Sequence, residues 1–158
     1  MVLYGAGLRI SEALALETSD VDGARGVLIV RHGKGDRARE AKLSPSLYQW
    51  LRRYWARPRP RAPYLFACPR LGALPLQDTI RKALAQAAKD ALNKKRVTPH
   101  VLRHSFATHL LDEGTDVNVV RQLLGHTSTD STARYARVTD KRVRETPSPL
   151  DLLPQRRR

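Results

Sequence analysis

The sequence predicts a mainly helical domain that contains one small antiparallel sheet. Several stretches carry apolar residues at helical spacing, and two of them open with a Ser-Pro or Thr-Pro pair that caps a helix and supplies its first residue. A single β-branched run is followed by a tight turn and a second extended stretch, which is the pattern of a hairpin. With 158 residues and 41% hydrophobic content, the chain is large enough for one domain with a core.

The first helix is predicted over residues 8–16 (LRISEALAL), and it is expected to begin before Tyr4. Such a start places Met1 inside a helix or at its edge. We therefore expect the chain to lack the first part of its domain. Residues 19–23 (SDVDG) predict a turn after this helix.

The predicted sheet is a hairpin. Gly26–His32 (GVLIVRH) forms the first strand, Gly33–Asp36 the tight turn, and Arg37–Leu43 the returning strand, although apolar and polar residues alternate only weakly there.

Further helices follow the hairpin. Ser44 is the predicted cap of a helix that runs through Trp55, and Thr98 caps one that runs to Glu113. Asp116 caps a short helix that ends at Gly125. The two remaining helices are predicted over 76–92 and over 127–137, the latter carrying Tyr135.

Positive charge is concentrated in one part of the chain. The formal net charge is +14, and the residues from Arg31 to Arg61 contain ten Lys or Arg and two acids. A basic block beside a less basic body is typical of a surface that faces phosphates, so nucleic acid is the expected partner.

Other function classes find little support. No run of residues is long and apolar enough for a membrane span, and no secretory leader is evident. The single cysteine, Cys68, excludes an intrachain disulfide and is interpreted as a packing residue. We expect a cytoplasmic protein without a membrane partner.

His100 and Arg103 form the first candidate site. They stand three residues apart in the first turn of the helix capped by Thr98, where backbone N–H groups and the helix dipole favour an anion. An imidazole and a guanidinium there are suited to phosphate. The alternative for this pair taken alone is a solvated polar face.

A metal site on this helix is less consistent with the residues. His100 and His104 have the spacing of a metal-binding helix, but the intervening residues include Arg103 and no glutamate. The chain also lacks a GxxxxGK[ST] loop for a nucleotide. We expect no metal and no small-molecule cofactor.

Further candidate residues stand in a specific order around this pair. Arg9 lies in GLRISEAL, Lys34 in HGKGD, His126 in LLGHTS, and Tyr135 nine residues after His126. Together with HVLRHSFATHLL, these motifs resemble the tyrosine recombinase/phage integrase family from Tyr4 to about Tyr135, and its Xer-like members in particular. The resemblance implies the catalytic-domain fold of that family.

The resemblance also implies a role for each residue. Tyr135 would attack the scissile phosphate and form a 3′-phosphotyrosyl bond, while Arg9, Arg103 and His126 bind the non-bridging oxygens. Lys34 would protonate the leaving oxygen, and His100 would manage the tyrosine proton. The chemistry fits general principles, because phosphoryl transfer requires charge neutralisation and an in-line nucleophile, and two arginines and two histidines supply the former without a metal.

The resemblance also implies a domain organisation. Residues 1–137 would be the catalytic domain, without its first part and without the N-terminal DNA-binding domain that family members typically carry. Residues 138–158 would be a tail that packs on a neighbouring subunit of a tetramer on double-stranded DNA, or a disordered segment; the proline-rich composition leaves both open.

Two alternatives to recombination stay open. The first is a nicking and closing activity like that of type IB topoisomerases, which shares the chemistry but needs no paired sites. The second is an inactive fragment of an integrase that binds DNA through its basic face, for which binding weakens steeply with salt and no covalent adduct forms.

Overall fold

The computed structural model describes residues 1–31, 38–56, 63–67, 76–92, 97–125 and 146–152. The predicted fold class, mainly α with one small antiparallel sheet, is confirmed in these ranges. The helices are α1 Val2–Gly5, α2 Ile10–Ala15, α3 Pro45–Trp55, α4 Gln77–Leu92, α5 Pro99–Asp112, α6 Val117–Leu123 and α7 Pro149–Leu152. Within the described part of the chain, no helix has the length and apolar character needed to cross a bilayer.

The prediction of one continuous helix through 8–16 that begins before Tyr4 is wrong. The helix is interrupted, because Gly7 adopts a left-handed conformation with φ of +61° and Arg9 is extended. Phe106 fills the space beside Gly7, where an added Cβ would lie 2.5 Å from a ring carbon. The interruption separates α1 from α2 and exposes backbone carbonyls that a continuous helix would use internally.

The sheet has three antiparallel strands in the order β1-β2-β3. The predicted hairpin is confirmed as β2 Val27–Val30 and β3 Arg39–Lys42, with Leu28 opposite Ala41. The predicted turn at 19–23 was wrong in part, because β1 Val21–Asp22 lies there and pairs with β2. The predicted tight turn of the hairpin, 33–36, lies outside the described residues.

The local signals at helix ends act as predicted. The side chains of Ser44, Thr98 and Asp116 each accept a hydrogen bond from the backbone two or three residues further on. Gly125 has a φ of +65° directly after α6, which is the left-handed stop expected of a helix C-terminus. The predicted helix over 127–137 lies outside the described residues.

Two groups of buried apolar residues form the core. The larger one joins α1, α2, the sheet and α3, and the smaller one lies between α5 and α6 around Phe106 and Leu110. Tyr4 packs against both groups, and its hydroxyl oxygen forms a hydrogen bond with Nδ1 of His109 at 2.8 Å. The two groups therefore hold α5 against the start of the chain.

The described part of the C-terminal segment, 146–152, packs on the same chain. Ser148 Oγ donates to the carbonyl of Gly5 at 2.7 Å, and Leu150 is buried in the larger core group. Asp151 Oδ1 accepts from the backbone N–H of Ser46, in the first turn of α3, at 3.3 Å. Packing of the tail on a neighbouring subunit stays a prediction.

Candidate active site

Arg103 is buried at the centre of the candidate site. Its position on α5 turns it inward, and its guanidinium donates from Nη1 to the carbonyl of Gly7 at 2.7 Å and from Nη2 to the carbonyl of Leu124 at 2.6 Å. Arg103 therefore joins the α1–α2 connection to the end of α6. The Gly7 carbonyl is available because the helix is interrupted there.

Arg9 and Glu12 lie beside Arg103 at the start of α2. The backbone N–H of Arg9 donates to Glu12 Oε2 at 2.7 Å, and Arg9 Nη1 donates to Glu12 Oε1 at 2.7 Å. Glu12 thus caps its own helix, where the dipole favours a negative charge. Its side chain is only 2% exposed, so its charge requires close partners.

A third arginine completes this group. Arg39 begins β3, and its Nη2 donates to Glu12 Oε2 at 2.9 Å while its Nη1 donates to the carbonyl of Leu123 at 3.0 Å. Arg103 Nη1 lies 3.6 Å from the same Glu12 oxygen. Three guanidinium groups therefore surround one buried carboxylate, and we call these four residues the Glu12 cluster.

Burial and neighbouring charges shift the pKa values of Glu12, Arg39 and Arg103. Burial raises the pKa of Glu12, but the backbone N–H of Arg9 and the positive charges of Arg39 and Arg9 outweigh it, so the net shift is downward. Burial and the charge of Arg9 lower the pKa of Arg103 to about 10, against the opposing effect of Glu12. Burial likewise lowers the pKa of Arg39. With a pKa of about 10, Arg103 keeps its positive charge at neutral pH.

The Glu12 cluster carries more positive than negative charge, and Arg9 is its accessible member. The side chain of Arg9 is 30% exposed, against 14% for Arg39 and 10% for Arg103. A guanidinium at an open edge of a positive cluster is suited to an oxyanion, since its planar fork can donate two parallel hydrogen bonds. The arrangement can therefore bind one phosphate group.

The structure describes three of the six predicted site residues. Arg9 and Arg103 are brought together through Glu12, while His100 lies in the first turn of α5 and is exposed to solvent. Lys34, His126 and Tyr135 lie outside the described residues. The described chain leads directly to His126, which follows Gly125.

The comparisons with known proteins settle the family. Residues 1–142 match the phage integrase family. The chain belongs to this family.

Similar proteins agree with the fold. A putative integrase/recombinase of Sinorhizobium fredii is 46% identical over 152 residues, which cover 96% of this chain and 49% of that protein. The crystal structure of XerA recombinase matches with a TM-score of 0.72 and 35% identity, covering 89% of this chain and 52% of that one. The chain spans about half the length of the curated relatives it matches.

One similar structure contains DNA. The XerH site-specific recombinase bound to its palindromic difH substrate in a post-cleavage complex matches with a TM-score of 0.65 and 26% identity, covering 90% of this chain and 41% of that one.

Sequence reasoning missed two members of the Glu12 cluster in this integrase-family chain. A local signal for Glu12 exists, because Arg9 and Glu12 have the i, i+3 spacing of a capping pair at a helix start. Arg39 has no such signal, since its two contacts span 27 and 84 residues of sequence. Only the folded arrangement brings Arg39 to the site.

Proposed function

We propose that this chain is the catalytic domain of a tyrosine-type site-specific recombinase, which cleaves and rejoins DNA through a 3′-phosphotyrosyl bond to Tyr135. The observation that carries the proposal is the Glu12 cluster, which holds Arg9 and Arg103 together at a buried, net positive site. Membership of the phage integrase family supports it.

In the proposed reaction, the hydroxyl oxygen of Tyr135 bonds to the scissile phosphorus while the bond from phosphorus to the 5′ oxygen breaks. Arg9, Arg103 and His126 stabilise the charge that develops on the non-bridging oxygens. Lys34 gives a proton to the leaving 5′ oxygen, and His100 receives or relays the proton of Tyr135. The covalent bond conserves the energy of the phosphodiester, so the reverse attack by a 5′-hydroxyl reseals the strand without ATP or a metal.

The proposed partner is double-stranded DNA, bound in the cytoplasm by a homotetramer that exchanges strands between two sites. The net charge of +14 supports a polyanionic partner. The similar XerH structure, which contains its difH substrate, supports DNA in particular.

The test is a covalent-adduct assay with the full chain and a labelled pool of nicked duplexes of varied sequence, in EDTA. A denaturing gel separates any protein–DNA adduct, and Tyr135→Phe is the matched control because it removes only the nucleophilic oxygen. We expect an EDTA-resistant adduct that is absent in Tyr135→Phe.

Other results would contradict the proposal in distinct ways. An adduct that persists in Tyr135→Phe would exclude Tyr135 as the nucleophile. Salt-sensitive DNA binding without an adduct would favour the inactive fragment. Relaxation of plasmids that lack paired sites, dependent on Tyr135, would favour the topoisomerase-like activity.

A further inference from the structure

We infer that Arg39 is a positioning residue, which fixes the Glu12 carboxylate relative to the end of α6 and thereby aligns Arg9 and Arg103. The inference rests on the proposed function, because it assigns to Arg39 a part in the same DNA cleavage. The side chain of Arg39 is mostly buried and acts through its neighbours.

The contacts of Arg39 join three separate elements. From the first position of β3, its guanidinium reaches Glu12 in α2 at 2.9 Å and the carbonyl of Leu123 in α6 at 3.0 Å. Both bonds use terminal nitrogens of the same planar group, so the distance between the two acceptors is set by the geometry of one guanidinium. Glu12 in turn holds Arg9 at 2.7 Å.

The burial of Arg39 is unfavourable for stability alone. Its Nε is buried and has no hydrogen-bond partner among the described residues. A buried cation with an unpaired N–H costs free energy that an apolar side chain of similar size would not. A guanidinium in this place is therefore better explained by the geometry that it imposes.

Arg39 and Arg103 together hold the C-terminal end of α6. Arg39 binds the carbonyl of Leu123 and Arg103 binds the next carbonyl, that of Leu124. The last carbonyls of a helix have no partner within the helix and form the negative end of its dipole, so two cations stabilise them. The two arginines thus fix the final turn before His126.

Gly125 shows how closely Arg39 approaches the backbone there. Gly125 has a φ of +65°, and a Cβ built on it would lie 2.6 Å from Arg39 Nε. A flat guanidinium therefore packs directly against the backbone at the turn. The backbone conformation at Gly125 is therefore tied to the position of Arg39.

Two substitutions distinguish the contribution of the charge of Arg39 from that of its planar, forked shape. Arg39→Lys keeps a positive charge but places it on a single nitrogen, which cannot span Glu12 and Leu123 as the fork does. Arg39→Met keeps an unbranched stem and removes both hydrogen bonds. Arg81→Met is the matched control, because Arg81 forms an exposed ion pair with Asp78 on α4, remote in sequence from these contacts.

Hydrogen exchange on the full chain tests the positioning directly and needs no DNA. We expect faster exchange of the amides of Leu124 and Gly125 and in the first turn of α2 in Arg39→Met, a smaller increase in Arg39→Lys, and no change in Arg81→Met. Exchange in Arg39→Met that equals wild type at these amides would overturn the inference.

The second measurement is the single-turnover cleavage rate on the duplex that the wild-type chain cleaves, at saturating DNA. We expect Arg39→Met to lower this rate by about 10- to 100-fold, since a small misplacement of reacting groups has effects of that order. Arg39→Lys should recover part of the rate. The dissociation constant for DNA should stay within about twofold, since the side chain of Arg39 is only 14% exposed and Arg9 is the accessible guanidinium of the cluster.

A duplex with sulfur in place of the bridging 5′ oxygen distinguishes Arg39 from the leaving-group acid. Sulfur leaves without a proton, so it should restore cleavage by Lys34→Ala and not by Arg39→Met. A wild-type rate in Arg39→Met, or its restoration by sulfur, would overturn the inference. If the wild-type chain forms no Tyr135-dependent adduct, the proposed function fails, and the exchange result alone decides whether Arg39 fixes the end of α6.

Discussion

Two clusters of acidic and arginine side chains in this molecule differ in the sign of their net charge. The Glu12 cluster surrounds one carboxylate with three arginines. In a second group, which we call the Asp20 cluster, Arg31 lies between two carboxylates, 2.6 Å from Asp20 Oδ1 and 3.3 Å from Glu17 Oε2. One cluster has excess positive charge and the other excess negative charge.

The clusters also differ in access to water. Both contain a carboxylate that is almost fully buried, but the side chain of Arg31 is 48% exposed, whereas those of Arg39 and Arg103 are 14% and 10% exposed. Water can screen the unequal charge of the Asp20 cluster. The excess charge of the Glu12 cluster lies in a drier environment, where an anion from outside would be attracted more strongly. A net charge on a cluster that is also largely buried therefore distinguishes a candidate binding site from a structural ion pair.

The largest difference between the clusters should appear when each buried acid is neutralised. Glu12→Gln leaves three cations without their shared carboxylate, and we expect it to lower the free energy of unfolding by about 3 kcal/mol. Asp20→Asn faces one half-exposed arginine and should cost about 1 kcal/mol. Denaturant unfolding of both variants measures the difference, and equal losses would contradict the distinction drawn between the clusters.

Acid should lower the free energy of unfolding of the wild-type protein, because it protonates the carboxylate of Glu12. Because the pKa of Glu12 is lowered from 4.5 in the folded chain, its ionised form stabilises the fold above that pH, and this contribution is lost as the pH falls through the lowered value. Unfolding measured between about pH 6 and pH 3 should therefore show a smaller acid-dependent loss in Glu12→Gln than in the wild type. An identical slope in both proteins would exclude Glu12 as a source of acid sensitivity.

Several features of the fold could be predicted from the sequence because their causes are local. The caps at Ser44, Thr98 and Asp116 act within a few residues, and the hairpin is encoded by one β-branched run and its turn. The interruption at Gly7 could not be predicted, since it depends on Phe106, which is distant in sequence.

The candidate site could likewise be predicted only in part from the sequence. The order of the motifs identified Arg9 and Arg103 as candidates, but the ion pairs that hold them together are both formed with Glu12. The position of Arg39 depends on its hydrogen bonds to α2 and α6. Sequence motifs indicate which residue types a reaction needs. They do not indicate which buried groups hold those residues at the required distances.

The smallest expected effect concerns anion binding to the two clusters. At constant ionic strength, replacing chloride by sulfate should stabilise the wild-type protein by on the order of 0.5 kcal/mol through the Glu12 cluster. Arg9→Gln removes the accessible guanidinium and should reduce this gain, while Arg31→Gln should leave it unchanged. Thermal unfolding in the two salts measures the gain, and an equal reduction in both variants would indicate a general effect of net charge.

The hydrogen bond from Ser148 to Gly5 joins the last described segment to the first helix. During synthesis, α1 leaves the ribosome well before Leu150, which covers Gly5. A nascent chain therefore carries an uncovered apolar surface on α1 until the segment 146–152 has been translated. Nascent chains stalled before residue 148 should accordingly be preferred substrates for chaperones and proteases.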